Sequence, residues 1–314
     1  QVLTSQGPRQ TPCRREKPCR RERPAAAGGM PKRPLEDEDG SLHLQYCIFD
    51  WDDNVVHMPT RIWMESVCDG APVPLSTAEY AVRRNDPELR HAEGAFREFR
   101  DETGSFGAQL KEAMLRDNWQ APAFAAFKEC LLRGRLFAIV TARGHDALVM
   151  RNAISHFVEA ILTSEERDTM LQSLRAFNSM SGREVGTDLV EDYLNQCQFV
   201  GVSLPEFQAL SGTTSTEEGK KYAIRRFVKA IVETVDDVFV RKGKRIATIS
   251  FGMSDDDRKN VEVADALMRD ELSPLYANVK FVVYDTGGGK VRKLKHHISD
   301  PSSPVRAVRA VAPL

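Results

Sequence analysis

The sequence predicts an α/β protein, a doubly wound parallel sheet with a mostly helical segment inserted after its first strand. Three observations predict it. Five short apolar runs recur along the chain, helical periodicity fills the intervals between them, and roughly 85 residues separate the first run from the second. Short apolar runs divided by helices are the signature of parallel strands covered on both faces. A parallel pair needs only one crossover helix, so the long first interval carries an insertion.

Residues 1–41 come before this pattern. They hold Pro, Arg, Gly and Ala in irregular order and then the acidic run Glu36–Asp39, with almost no apolar periodicity. Such a segment buries too little surface to offset its ordering entropy, and it reads as a disordered tail. Arg14, Arg15, Arg20, Arg21 and Arg23 are interrupted by Glu16 and Glu22 and form no amphipathic stripe, so they do not read as a targeting segment. The chain opens on Gln1, which suggests a fragment or read-through with Met30 as a candidate start.

The strands follow in order: Leu44 to Asp50, Arg135 to Thr141, Gln198 to Ser203, Arg245 to Phe251 and Val279 to Asp285. Helical spacing spans Asp146 to Leu162, Glu217 to Val232 and Asn260 to Leu272 between the later strands. In the insertion, Ala78 to Arg84, Glu93 to Arg100 and Phe106 to Arg116 read as helices, and Ala123 to Arg133 as the crossover into the second strand. The expected division is therefore a tail at 1–41, a core at 42–56 and 129–290, an insertion at 57–128 and a C-terminal tail at 291–314. An insertion at this point covers the carboxyl edge of the sheet, where open α/β sheets bind their ligands.

Composition sets outer limits. The chain has 314 residues, 41% hydrophobic and 28% charged, as an ordinary soluble protein does. A formal net charge of -1 supplies no general attraction for nucleic acid or an acidic membrane, and no apolar run approaches the roughly 20 residues that span a bilayer. Cys13, Cys19, Cys47, Cys68, Cys130 and Cys197 lack the paired spacing of a zinc site. Scattered thiols in a chain of this length point to a reducing, intracellular and cytoplasmic setting.

The chemistry gathers at strand ends. The first strand runs into Asp50, followed by Asp52, Asp53 and Asn54; the second ends in Thr141, followed by Ala142, Arg143 and Gly144; the fourth leads to Asp255, Asp256, Asp257 and Asn260. Clustered carboxylates repel one another unless protons or a cation neutralise them, and oxygen ligands suit magnesium. With magnesium on Asp50 and Asp255, the hydroxyl of Thr141 and the N–H of Ala142 are placed to bind phosphate oxygens. A helix starting after Thr216 adds a cation: Lys220 shares an inward stripe with Ala223, Ile224, Phe227 and Ile231, whereas Lys221 lies one residue round.

D-W-D-D-N at 50–54, T-A-R-G at 141–144, a lysine opening a helix at 220 and D-D-D-R-K-N at 255–260 resemble the four motifs of the haloacid dehalogenase-like (HAD) hydrolase superfamily, over residues 44 to 285. The resemblance implies a Rossmann-like core with a cap domain. It makes Asp50 the nucleophile that forms an aspartyl-phosphate, and Asp52 the general acid/base that protonates the leaving oxygen and then activates water. It also implies Mg2+ held by Asp50, the backbone carbonyl of Asp52, and Asp255, with Asp256 nearby and Asn260 orienting the loop. Asn54 departs from the pattern, which has threonine or valine there.

Other motifs carry less. Gly287, Gly288, Gly289 and Lys290 lack the spacing of a phosphate loop and read as a turn. His296 and His297 in their basic stretch read as surface residues, and Arg143 and His145 as either substrate contacts or a solvated loop. The expected function is a magnesium-dependent phosphatase acting on a small phosphorylated substrate in preference to a phosphoprotein, with no nucleic-acid or membrane partner and no signal for oligomeric state. The rival is a non-hydrolytic metal- or phosphate-binding regulatory protein on the same fold, from which Asp52 discriminates because binding needs no proton shuttle.

Overall fold

The computed structural model describes residues 37, 39–100, 106–182, 186 and 188–297, the last three by their backbone alone. Most of the expected tail, including Cys13, Cys19, the arginine run and Met30, lies outside the described residues, as do 298–314. Asp37 and Asp39 belong to the fold: Asp37 Oδ2 meets His43 Nε2 at 2.6 Å, and Arg245 Nη1 donates to Asp39 Oδ2 at 3.0 Å.

Among the described residues, nine strands form two sheets. The larger has six, in the order β6 (Gln198–Gly201), β5 (Phe137–Thr141), β1 (Leu42–Phe49), β7 (Ile246–Asp255), β8 (Val279–Asp285) and β9 (Arg292–His297). The first five pair in parallel and β9 joins antiparallel to β8. The chain moves outward from β1 to β5 and β6, then crosses back to β7 on the other side of β1. That reversal puts the switch point of the sheet between β1 and β7, with Phe49 opposite Ser254 in register. The carboxyl ends of β1 and β7 thus stand side by side.

The five expected strands are all present, because buried β-branched and aromatic residues leave their segments no better way to satisfy the backbone. Helices α4 (Ala147–Ile161), α8 (Thr216–Val235) and α9 (Arg258–Ala266) occupy the expected intervals, and α8 and α9 continue into π-helical turns at Asp236–Val240 and Leu267–Leu272. Between β5 and β6 the chain adds α5 (Ser164–Ser181) and α6 (Leu189–Gln196), and α7 (Pro205–Ser211) precedes α8. The fold is α/β, with a mostly parallel sheet flanked by helices.

Two expectations change. Residues 291–314, read as a tail, include β9, which follows a tight turn at Gly287–Gly289. The insertion, read as mostly helical, holds a three-stranded antiparallel sheet: β2 (Ile62–Ser66) lies between β3 (Pro72–Leu75) and β4 (Leu89–His91). Of its expected helices, α1 (Thr77–Arg83) is capped by a Ser76–Glu79 capping box, and Glu93 to Arg100 contributes only a 3₁₀ turn at Arg97–Phe99. This small sheet has its own apolar cluster of Ile62, Met64, Leu75 and Phe99.

The remaining helices of the interval, α2 (Phe106–Met114) and α3 (Phe124–Leu132), bury Phe106, Leu110, Phe124 and Phe127 in the main core. Trp51, just past β1, is fully buried there between the rings of Phe106, Phe127 and Phe157, with centroids 5.6–5.7 Å away. Outgoing and returning chains are stitched together where the insertion leaves the core: His57 N–H donates to Trp119 C=O at 2.8 Å and Ala123 N–H to Asn54 C=O at 2.8 Å. No helix among the described residues is long and apolar enough to cross a membrane.

Candidate active site

The switch point collects the charged residues. Asp50 follows the last residue of β1 and Asp255 closes β7, and both carboxylates are buried. Lys220 enters from the first turns of α8, whose start is fixed by Ser215 accepting the N–H of Glu218. Its ammonium donates to Asp50 Oδ1 at 2.8 Å and to Asp255 Oδ2 at 2.7 Å. Lys221, one residue round the helix, pairs with Glu218 at 2.9 Å. The helical periodicity therefore selects the inward lysine correctly.

Asp256 completes an acidic cluster: Asp50, Asp255 and Asp256 each offer a carboxylate oxygen within 4.8 Å of the others. Burial pushes the Asp50 carboxyl up to about 7; Lys220 opposes that shift and Asp255 adds to it. Burial, with Asp50 and Asp255 beside it, pushes Asp256 up to about 9. Burial also works against the charge on Lys220, but Asp255 and Asp50 outweigh it and hold the ammonium proton more tightly than usual.

Neighbouring residues hold the cluster in place. Asn260 Nδ2 donates to Asp255 Oδ1 at 3.2 Å and the Asp257 N–H to the same oxygen at 3.0 Å. Asn54 bonds in three directions. Its amide nitrogen donates to Asp50 C=O at 2.8 Å and to Ser254 Oγ at 2.9 Å, and its oxygen accepts the Thr286 hydroxyl at 2.7 Å. One side chain thus ties together the ends of β1, β7 and β8. Asp53 has a φ of 54°, alone among the described non-glycine residues in being positive, and it accepts from Thr77 of α1 and meets His57 Nδ1 at 2.7 Å.

Asp52 is placed differently. Arg143 binds both of its oxygens, Nε to Oδ2 at 2.8 Å and Nη2 to Oδ1 at 2.7 Å. The Thr141 hydroxyl donates to Asp52 Oδ2 at 3.4 Å, and Ala142 beside it is exposed. Arg143 and His145 are fully buried, so the solvated-loop reading fails for both. The sequence leaves both Arg143 and His145 undecided. A buried guanidinium needs partners on every side, and those partners come from distant segments that sequence spacing does not reveal.

The donor set fits a hard divalent cation. Three carboxylates face one ammonium, and burial together with their mutual repulsion raises Asp50 and Asp256, both of which a bound cation would relieve. Oxygen-only ligands suit magnesium. No family model matches the chain, and neither does any curated protein or solved structure.

Proposed function

We propose that the protein is a magnesium-dependent phosphatase of HAD type, hydrolysing a phosphate monoester through an aspartyl-phosphate on Asp50. The observation that carries the reading is the buried Asp50–Lys220–Asp255 bridge at the switch point, with a second carboxyl, Asp52, two residues from the nucleophile. In this reading residues 57–128 are the cap over the carboxyl edge, and the substrate is a small phosphorylated molecule.

Asp50 attacks phosphorus while the leaving oxygen takes a proton from Asp52, so an alcohol departs and the phosphoryl group stays on Asp50. Water then attacks that phosphorus, gives its proton back to Asp52, and phosphate leaves with Asp50 regenerated. Lys220 offsets the charge of Asp50 and Asp255, and Thr141 and the Ala142 N–H take phosphate oxygens. Asp50, the Asp52 carbonyl, Asp255 and Asp256 would hold Mg2+, which lowers the repulsion between phosphate and nucleophile.

A panel of phosphate monoesters assayed with and without magnesium tests this, beside Asp50→Asn. Release that needs magnesium and disappears in Asp50→Asn is expected; release that survives the substitution would remove Asp50 as nucleophile. A second reading on the same fold is a non-hydrolytic binding protein, for which the acidic cluster of Asp50, Asp255 and Asp256 is sufficient to hold a cation. Binding of magnesium and inorganic phosphate with no release from any ester would decide for it.

A further inference from the structure

We propose that Arg143 is a positioning residue for Asp52, and that the insertion holds Arg143 in place through Thr60 and Gln109. The proposal rests on the phosphatase reading, since it concerns the carboxyl that carries the leaving group's proton.

Arg143 lies in the loop after β5, where a charged side chain ordinarily faces water, yet it is fully buried. Its guanidinium lies over the rings of Phe99 and Phe106, 5.0 and 5.3 Å from their centroids. Nε and Nη2 grip the Asp52 carboxylate in the forked geometry that lysine cannot reproduce. Nη1 donates to Gln109 Oε1 at 2.6 Å, and Nη2 also donates to Thr60 Oγ1. Four of the five N–H groups of the fork therefore have named acceptors, which leaves little with which to hold a substrate.

The network continues beyond these partners. Thr60 donates to the Gln109 oxygen at 3.1 Å, and the Gln109 amide nitrogen donates to Glu98 C=O at 2.8 Å, which fixes the end of the amide that faces Arg143. The Glu98 carboxylate accepts from the Arg61 N–H at 2.8 Å and from Trp63 Nε1 at 2.7 Å. Alongside, the Gly144 N–H donates to Phe99 C=O at 2.8 Å. An unbroken chain of hydrogen bonds thus runs from Asp52 to β2 of the small sheet. A carboxyl that must meet a leaving oxygen within about 2.6–3.2 Å gains from being fixed in rotation, and Arg143 fixes it only while the insertion is seated.

The test uses the full chain with magnesium and two esters, an alkyl phosphate, whose leaving oxygen needs a proton, and p-nitrophenyl phosphate, whose leaving oxygen does not. In single turnovers, which isolate the phosphorylation of Asp50, Arg143→Met is expected to slow release of the alcohol about 100-fold, the scale of a lost general acid, and to leave release of nitrophenol within about threefold; the later water step, which also uses Asp52, slows alike for both. Gln109→Leu, which keeps the Asp52 pair but cuts its support, is expected to show the same selectivity at smaller size. The double variant Asp52→Asn/Arg143→Met is expected to be no slower than Asp52→Asn alone, because Arg143 acts through Asp52.

Equal losses on both esters in that first step, a rise in KM with the first step unchanged, or multiplying losses in the double variant would each overturn the assignment. If Arg143→Met fails to fold because a buried carboxylate is left unpaired, the double variant removes both charges and still reports. Wild-type protein that releases phosphate from neither ester overturns the phosphatase reading and this proposal with it; an active wild type with unselective variants overturns this proposal alone.

Discussion

Lys220 brings one positive charge to three carboxylates, and burial, with the neighbouring carboxylates adding to it and Lys220 opposing it, raises two of them. Asp50 and Asp256 are held at about 7 and about 9, above the ordinary 3.8, so the folded protein binds more protons than the unfolded chain between these values. Stability contributed by such groups is present below pH 3.8 and is lost as pH rises through the folded values. The metal-free protein is therefore expected to lose melting temperature between pH 5 and pH 9, apart from whatever other groups contribute. If magnesium binds this cluster as proposed, it supplies the missing charge, and the melting-temperature gain on adding it should be small at pH 5 and large at pH 8. Thermal melts in chelator and in magnesium at both values check this; a gain independent of pH would mean that the cation binds elsewhere. At this scale the sequence was informative wherever a residue's location follows from its place at a strand end or on a helix stripe, as with Asp50, Asp255 and Lys220. It was uninformative for Arg143, whose burial depends on Thr60, Phe99 and Gln109 arriving from elsewhere.

The loop that carries Thr141, Ala142 and Arg143 is held by the element beside it. At the end of β6, Val202 N–H donates to Thr141 C=O at 2.9 Å and Ser203 N–H to Arg143 C=O at 3.1 Å. Gly201 lies so close that an added Cβ would stand 2.6 Å from His145 O and 2.8 Å from Arg143 O, and backbone atoms cannot swing aside as a side-chain tip can. Gly201→Ala is thus expected to cost about 1–3 kcal/mol, as overpacking does, and to lower turnover by displacing the loop. Denaturant unfolding and kcat of the variant check both effects; wild-type values for both would show that the loop has room to move. The elements hardest to read follow from similar tertiary contacts. β3 carries Pro72 and Pro74, which signal a loop and are tolerated only because β3 lies at a sheet edge. β9 has almost no apolar pattern because it too is an edge strand, and a short polar segment of that kind reads as a tail. By contrast β1, β5, β7 and β8 are central, buried and apolar, and sequence alone finds them.

At the scale of the whole molecule, two cores of unequal size meet at the site. The small sheet rests on Ile62, Met64, Leu75 and Phe99, whereas the main core gathers apolar residues from β1, β5, β7, β8 and the helices around them. Local stability tracks the apolar surface a unit buries, so the small sheet is expected to open at a lower free energy than the main one. Amides of Ile62–Ser66 and Leu89–His91 should exchange with solvent before those of β1 and β7. Met64 is 1% exposed, and truncating such a side chain costs about 2–5 kcal/mol where the site cannot collapse. Met64→Ala is then expected to speed exchange across the small sheet while leaving the unfolding midpoint of the main core nearly unchanged. Because Phe99 belongs to that cluster and Thr60 just precedes β2, while Gln109 stands on α2 of the main core, turnover on the phosphatase reading should fall with the local opening and not with global unfolding. If Met64→Ala instead lowers the global midpoint and leaves exchange in the small sheet as it was, the two cores unfold as one unit, and the insertion has no independent means of seating or releasing Arg143.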